Sequence, residues 1–192
     1  MWSEEIPVLT NGKLSLRPVN TDDVDPFLAI ALDPEIWRYF ISEISNRSDM
    51  ETFVEDAIRD RKNGLRHAFS VETTDGRLIG STALGNFSPR DGRIEIGWTW
   101  MGQAYQGTGA NAAVKFLLMQ YTFEKMNIAR LEFKTDVLNS KARRALTKIG
   151  AQEEGVLRSH TLMPGGRRRD TIYYSILRDE WPSLRARQSL AQ

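Results

Sequence analysis

From Ile96 to Val114 the chain carries no charged residue, and within that stretch Gln106-Gly107-Thr108-Gly109-Ala110-Asn111 joins a run of alternating residues to a long helical stripe. A glycine pair at such a junction narrows the choice of folds. A strand has to end, the backbone has to turn through conformations that glycine adopts without penalty, and a helix has to begin. The first-turn N–H groups of that helix lack intrahelical partners and lie at the positive end of its dipole, so they can hold phosphate without a lysine. The plainer reading of the same residues is a mobile turn that caps a helix.

The rest of the composition sets limits. With 192 residues, 41% hydrophobic and 27% charged, the sequence predicts one globular domain over 1–192 with a real core. A net charge of +1 gives no bulk attraction to nucleic acid or to a membrane surface. The absence of cysteine excludes disulfides, thiolate metal sites and cysteine-bound intermediates, and His67 and His160 are too few for a histidine-built metal site. Met1-Trp2-Ser3-Glu4-Glu5 does not resemble a signal peptide, and glycine, glutamine and asparagine interrupt 96–114 too often for a membrane span. A cytoplasmic protein is the expectation.

Alternation of Leu14 and Leu16 with polar residues after Asn11-Gly12 predicts a first strand. Thr21-Asp22-Asp23 then caps a helix striped by Val24, Phe27, Leu28 and Ala31, and Asp33-Pro34 starts a short helical piece carrying Ile36, Trp37, Tyr39 and Phe40. These aromatics suit either the core or the wall of a cleft. Ser48 with Glu51 reads as the capping box of a helix striped by Phe53, Val54, Ala57 and Ile58 and ending near Asn63-Gly64.

From there the period becomes two, predicting strands at about 67–73, 77–84 and 93–100 in an antiparallel meander. Strict alternation places Ile94, Ile96, Trp98 and Trp100 on one face of the third, and Glu95, Gly97 and Thr99 on the other. An isolated carboxylate then faces away from the core. After the glycine loop, Val114, Leu117, Leu118 and Tyr121 mark a helix to about Lys125, followed by a strand from Ala129 to Asp136. A strand, crossover helix and strand in that order lie parallel in one sheet. Asn139-Ser140 caps a shorter helix with Ala142, Ala145, Leu146 and Ile149 inward, and a hairpin at about 153–163 and 168–178 turns around Pro164-Gly165-Gly166.

This order of elements resembles the GNAT N-acetyltransferase superfamily, and most closely its RimJ/RimL branch. The matching residues are Ile94-Glu95-Ile96-Gly97-Trp98, Gln106-Gly107-Thr108-Gly109, Asn139, Lys148-Ile149-Gly150-Ala151, Glu154-Gly155-Val156-Leu157-Arg158, Gly166-Arg167, Asp170 and Tyr174-Ser175 through Trp181. The resemblance implies an α/β fold with a mixed central sheet flanked by helices: an antiparallel N-terminal meander, then a parallel pair that splays at the cofactor site. It implies acetyl transfer from acetyl-CoA to a primary amine by direct transfer in a ternary complex, without a metal. Through the resemblance, Gln106, Gly107, Thr108, Gly109, Ala110 and Asn111 would hold the coenzyme's pyrophosphate, with Asn111 where the family has Gly or Ala. Trp98, Thr99, Trp100 and Asn139 would follow its pantetheine arm. Glu95 would be the general base, and Trp37, Tyr39 and Phe40 would wall the acceptor. That acceptor would be a small amine or a protein N-terminus, including one on a ribosomal protein. The resemblance also allows a homodimer.

The two departures from the family pattern are Asn111 and Ala142. RimJ/RimL proteins commonly carry Ser three residues after the Asn, where it can protonate the coenzyme sulfur; this chain has Ala142. Water, Tyr173 or Tyr174 are the substitutes the sequence offers. Glu95 also has a plainer reading as a strand glutamate paired with a basic neighbour such as Arg93, and Arg167-Arg168-Arg169 beside a glycine turn reads either as a solvated hairpin tip or as a contact for an acidic partner or the coenzyme's adenosine 3′-phosphate. Outside acetyl transfer, a non-catalytic acetyl-CoA binder is one alternative. A dinucleotide-binding module is another, since Gly107 to Ala112 satisfies Gly-x-Gly-x-x-Gly/Ala, but Met101 to Gln106 separate it from its strand and no second set of alternating elements follows.

Overall fold

The computed structural model describes residues 7–189. All its strands join one eight-stranded sheet in the order β1-β2-β3-β4-β5-β6-β8-β7. They are β1 (Leu9–Thr10), β2 (Leu14–Pro18), β3 (Arg66–Thr73), β4 (Leu78–Ser88), β5 (Arg93–Met101), β6 (Arg130–Asp136), β7 (Gln152–Leu162) and β8 (Arg168–Leu177). The helices are α1 (Val24–Ala31), α2 (Pro34–Trp37), α3 (Arg47–Lys62), α4 (Ala110–Glu124), α5 (Ser140–Lys148) and α6 (Trp181–Ser189). Neighbouring strands from β1 to β5 run antiparallel, β5 and β6 run parallel, and β8 inserts antiparallel between β6 and the edge strand β7. The mixed α/β sheet is the predicted one.

Two apolar layers cover the two faces. Ile94, Ile96, Leu131, Phe133 and Ile172 pack under α4 and α5 against Val114, Leu118 and Leu146, with Trp181 and Leu184 of α6 closing that layer. On the other face Ala68, Leu78, Ala83 and Trp100 meet Phe27 of α1, Trp37 of α2 and Met50, Val54 and Ala57 of α3. Each fully buried side chain of this size contributes ~1.5–3 kcal/mol relative to exposure.

Local chemistry moves several predicted boundaries. Asn20, not Thr21, begins the first helical segment: its side chain accepts from Asp22 N, and the buried Asp23 reaches back to Asn20 N. Helix α3 starts before Ser48, because Asn46 Oδ1 accepts from Asp49 N at 3.0 Å and Asp49 accepts from Ser45 N; Glu51 instead pairs with Arg47. Asn139 alone caps α5, accepting from Ala142 N.

The largest correction lies in β5. Trp98 has φ +50°, and between the pairs Gly97↔Ala83 and Trp100↔Ser81 two residues of β5 oppose one of β4. This is a β-bulge, which shifts the alternation by one. Ile94 and Ile96 face α4, whereas Trp98 and Trp100 turn to the opposite layer and Met101 returns to the first. The Trp98 ring lies where a Cβ on Gly85 would stand, within 2.5 Å, so Gly85 makes room for the displaced indole.

Candidate active site

The bulge coincides with a gap in the sheet. Strands β5 and β6 pair only at Arg93↔Arg130, Ile94↔Leu131 and Glu95↔Glu132. Beyond Glu95 they part, and residues 97–99 and 133–135 line the two banks of a cleft of about 210 Å³. On the α4/α5 side it is lined by Asn111, Lys115, Asn139, Ala142, Ala145 and Leu146, and on the other by Tyr39, Phe40, Ile41, Glu95, Lys134 and Arg169. Because side chains alternate along each bank, the opening passes through the sheet and presents a different chemistry at each mouth.

Glu95 is neither isolated nor paired with Arg93. It is 4% exposed, accepts from Asn86 Nδ2 at 2.7 Å and forms an ion pair with Lys134 Nζ at 2.9 Å. Arg93 instead pairs with Asp91 and Glu132. The Lys134 and Arg66 cations also approach the Trp98 ring, at 5.9 and 5.3 Å from its centroid. Trp98 and Thr99 line the cleft, while Trp100 is buried against Trp37 and Phe27.

At the start of α4, Gly107 and Gly109 take φ +80° and +93°, and nothing stands within 4 Å of where a Cβ on either would be. Gly109 is the N-cap and supplies no side chain to the first-turn amides. Thr108 Oγ1 meets only Ala110 N, at 3.4 Å, while donating to Tyr105 O. Gln106 braces the loop from both ends, its Nε2 donating to Met101 O and its Oε1 accepting from Lys141 Nζ of α5 at 2.6 Å. Asn111 Oδ1 is buried without a hydrogen-bond partner, in a residue that lines the cleft. A bare, glycine-built helix start beside an unsatisfied amide oxygen suits a phosphorylated, amide-bearing ligand.

The predicted acceptor wall divides. Tyr39 and Phe40 reach the cleft, but Trp37 is 3% exposed, donates from Nε1 to Ala31 O at 2.7 Å and supports Phe40 from behind at a ring distance of 5.3 Å. Its place in the core follows from Asp33-Pro34 fixing the first turn of α2, which rotates Trp37 toward α1 and α3. Tyr174 donates to Glu153 and His160 meets Thr171, and neither they nor Tyr173 nor His67 line the cleft.

Three cations border the cleft, of which Lys115 and Lys134 carry no sequence signal and Arg169 belongs to the arginine run. Arg169, expected on a solvated tip, is 7% exposed, with Nε donating to Thr171 Oγ1 at 3.0 Å, and burial lowers its pKa against the raising influence of Asp136 and Glu95. Its neighbour Arg167 pairs with the buried Asp136. Lys134 was hidden in an alternating strand. Lys115 was hidden in a helical stripe, although its i+4 spacing from Asn111 puts both on one helix face.

Comparison with known proteins agrees with this geometry. Residues 13–152 match the family described as an acetyltransferase (GNAT) domain. The Bacillus subtilis protein YdaF, provisionally named a ribosomal N-acetyltransferase, is 31% identical over 148 residues, covering 76% of this chain and 78% of YdaF. The uncharacterised N-acetyltransferase p20 of Bacillus licheniformis is 28% identical over 178 residues, 90% of this chain and 97% of p20. Among solved structures, a GCN5-related N-acetyltransferase from Brucella melitensis superposes with a TM-score of 0.87 at 27% identity, over 94% of this chain and 82% of that one. A match that spans most of the chain, on a sheet parted at the expected strands, makes this chain a member of the GNAT acetyltransferase family.

Proposed function

We propose that the chain moves an acetyl group from acetyl-CoA to a primary amine, with both substrates bound at once at opposite mouths of the through-sheet cleft. The observation that carries this reading is the cleft itself, with Asn111 and Asn139 on one side of the parted strands and Glu95 on the other. Acetyl-CoA supplies an acetyl group activated as a thioester. The amides of residues 107–112 hold its diphosphate, the backbone of residues 98–100, at the bulge and just after it, offers groups that β6 does not use, and Asn139 borders the same path.

Glu95 accepts the proton that a neutral-pH ammonium must lose before it attacks, directly or through water. Its pairing with Lys134 and Asn86 fixes the carboxylate in place. Tyr39 and Phe40 form the acceptor wall, with Trp37 as their support. The acceptor is a small amine or a protein N-terminal α-amine; the name of YdaF points to a ribosomal protein as one to test first.

Calorimetry with acetyl-CoA and with NAD, followed by thiol release against a panel of small amines and N-terminal peptides, tests the reading. Binding of acetyl-CoA alone and amine-dependent thiol release are expected. Binding of NAD in preference, or no release with any amine, overturns it.

A further inference from the structure

Acetyl transfer leaves a thiolate behind, and Ala142, which lines the cleft, has no proton to give it. Tyr173 and Tyr174 do not reach the cleft. The same side of the opening holds one group that can. Lys115 is 7% exposed, and its Nζ lies 3.4 Å from a neutral oxygen, Thr99 Oγ1, on the bank of β5 beyond its last pair with β6. Thr99 Oγ1 is itself engaged with Thr82 Oγ1 at 2.8 Å and Gly97 O at 3.2 Å, so it gives the ammonium little.

A lysine buried with so little compensation loses several kcal/mol relative to water unless a ligand completes its environment. Burial, with no opposing charge, brings its pKa down to about 8, within reach of a proton donor at neutral pH. The other ionisable groups around the cleft are Tyr39 after α2, Glu95 on β5, Lys134 on β6 and Arg169 on β8. Glu95 is held by Lys134, which leaves the ammonium of Lys115 to the cofactor side.

We propose that Lys115 is the general acid of the transfer, giving its Nζ proton to the departing sulfur of coenzyme A. The proposal rests on acetyl transfer being the function of this cleft. The amine nitrogen bonds to the acetyl carbon, the carbon–sulfur bond breaks, and the electron pair left on sulfur takes the Lys115 proton. The ammonium gives one proton to Glu95 before attack and the attacking nitrogen loses a second by the same route afterwards, both passing to water, while Lys115 regains from water the proton it gave, so one proton is released per turnover.

The test reads the sulfur directly and needs no acceptor. Coenzyme A is bound to the full chain and its thiol titrated by thiolate ultraviolet absorbance, with desulfo-coenzyme A as the blank. An ammonium beside the sulfur holds the bound thiol pKa down, and Lys115→Met raises it by about one unit or more. Lys115→Arg keeps the charge but has no proton to release at neutral pH, so it leaves the thiol pKa low. With the fastest peptide amine of the panel, both variants turn over acetyl-CoA about 10²-fold more slowly. Both recover most of that loss on acetyl-seleno-coenzyme A, whose selenolate leaves without a proton. Absence of coenzyme A binding by the unaltered protein would remove the functional reading itself. Binding with an identical thiol pKa in Lys115→Met, or an equal loss on the selenoester, overturns the role of Lys115 alone.

Discussion

Gly97 holds open the space that Glu95 occupies: a Cβ at position 97 would stand 2.8 Å from Glu95 Oε1. The two are neighbours on one face of β5 ahead of the bulge, so any side chain at 97 displaces the carboxylate from Lys134 and Asn86. Gly97→Ala is expected to lower kcat by roughly 10²-fold with little change in thermal stability, because the end of a flexible side chain yields first. Steady-state kinetics beside a melting curve checks this; an unchanged kcat would mean that the position of Glu95 does not matter.

Removing the carboxylate is the sharper probe of the base. Glu95→Gln is expected to reduce the rate by ~10²–10⁴-fold below the pKa of the amine, and by much less above it, where the acceptor is already neutral. A pH–rate profile with one amine decides the matter, and an equal loss at every pH would take the base role away from Glu95.

The glycine loop makes a separable prediction about binding. Gly109→Ala meets no neighbour, yet it forces alanine to φ +93°, at ~1–3 kcal/mol of backbone strain. The first turn of α4 relaxes rather than hold that conformation. Calorimetric affinity for acetyl-CoA should fall about tenfold, the effect of ~1.4 kcal/mol, while turnover of saturated enzyme changes little.

Lys115 leaves a signature in stability. The unfolded chain keeps this proton up to about pH 10.5, whereas the folded chain releases it near 8. Between those values the unfolded state binds more protons, so stability rises with pH; below about 8 both states are protonated and the full penalty remains. Lys115→Met should be more stable than the unaltered protein by up to ~3 kcal/mol at pH 7, and should lack that rise. Urea unfolding at pH 7 and pH 9.5 measures both.

Far from the cleft, Asp23 ties the first helical segment to the sheet. Its carboxylate, 1% exposed, pairs with Arg17, accepts from Ser70 Oγ at 2.6 Å and receives Asn20 N at 2.9 Å. Asp23→Ala removes the acceptor of four hydrogen bonds from Arg17, Asn20 and Ser70 and should cost about 3 kcal/mol in chemical denaturation, with kcat preserved in the protein that remains folded.

Reading these residues from sequence worked where one local rule governed the outcome. The glycine loop, the crossover helix of α4 and the parallel β5–β6 pair each follow from period, caps or turn residues, whereas the residues alone left Tyr39 and Phe40 open between core and cleft wall. Trp98 escaped because a bulge is invisible to strict alternation, and its indole crosses to the other face with no change in composition. Ser48 looked like a cap because Glu51 follows at the right spacing, but Asn46 is as good an acceptor and lies where the chain turns. Lys115 and Lys134 carry no sequence signal, and Arg169 was read mainly as solvated, for a shared reason. A cation in a helix stripe, a strand or a basic run is normally solvated, and only the parting of two strands brings these three to one opening.

That parting also divides the sheet mechanically. The unit built from β6, β8 and β7 is joined to β5 by three residue pairs at one end, by the Glu95–Lys134 and Arg93–Glu132 ion pairs, and by the apolar layer beneath α4 and α5. A molecule lying across the gap and bonding to both banks would act as the missing rungs of the ladder. Occupancy should therefore slow amide hydrogen exchange on both banks at once, at residues 97–99 and 133–135.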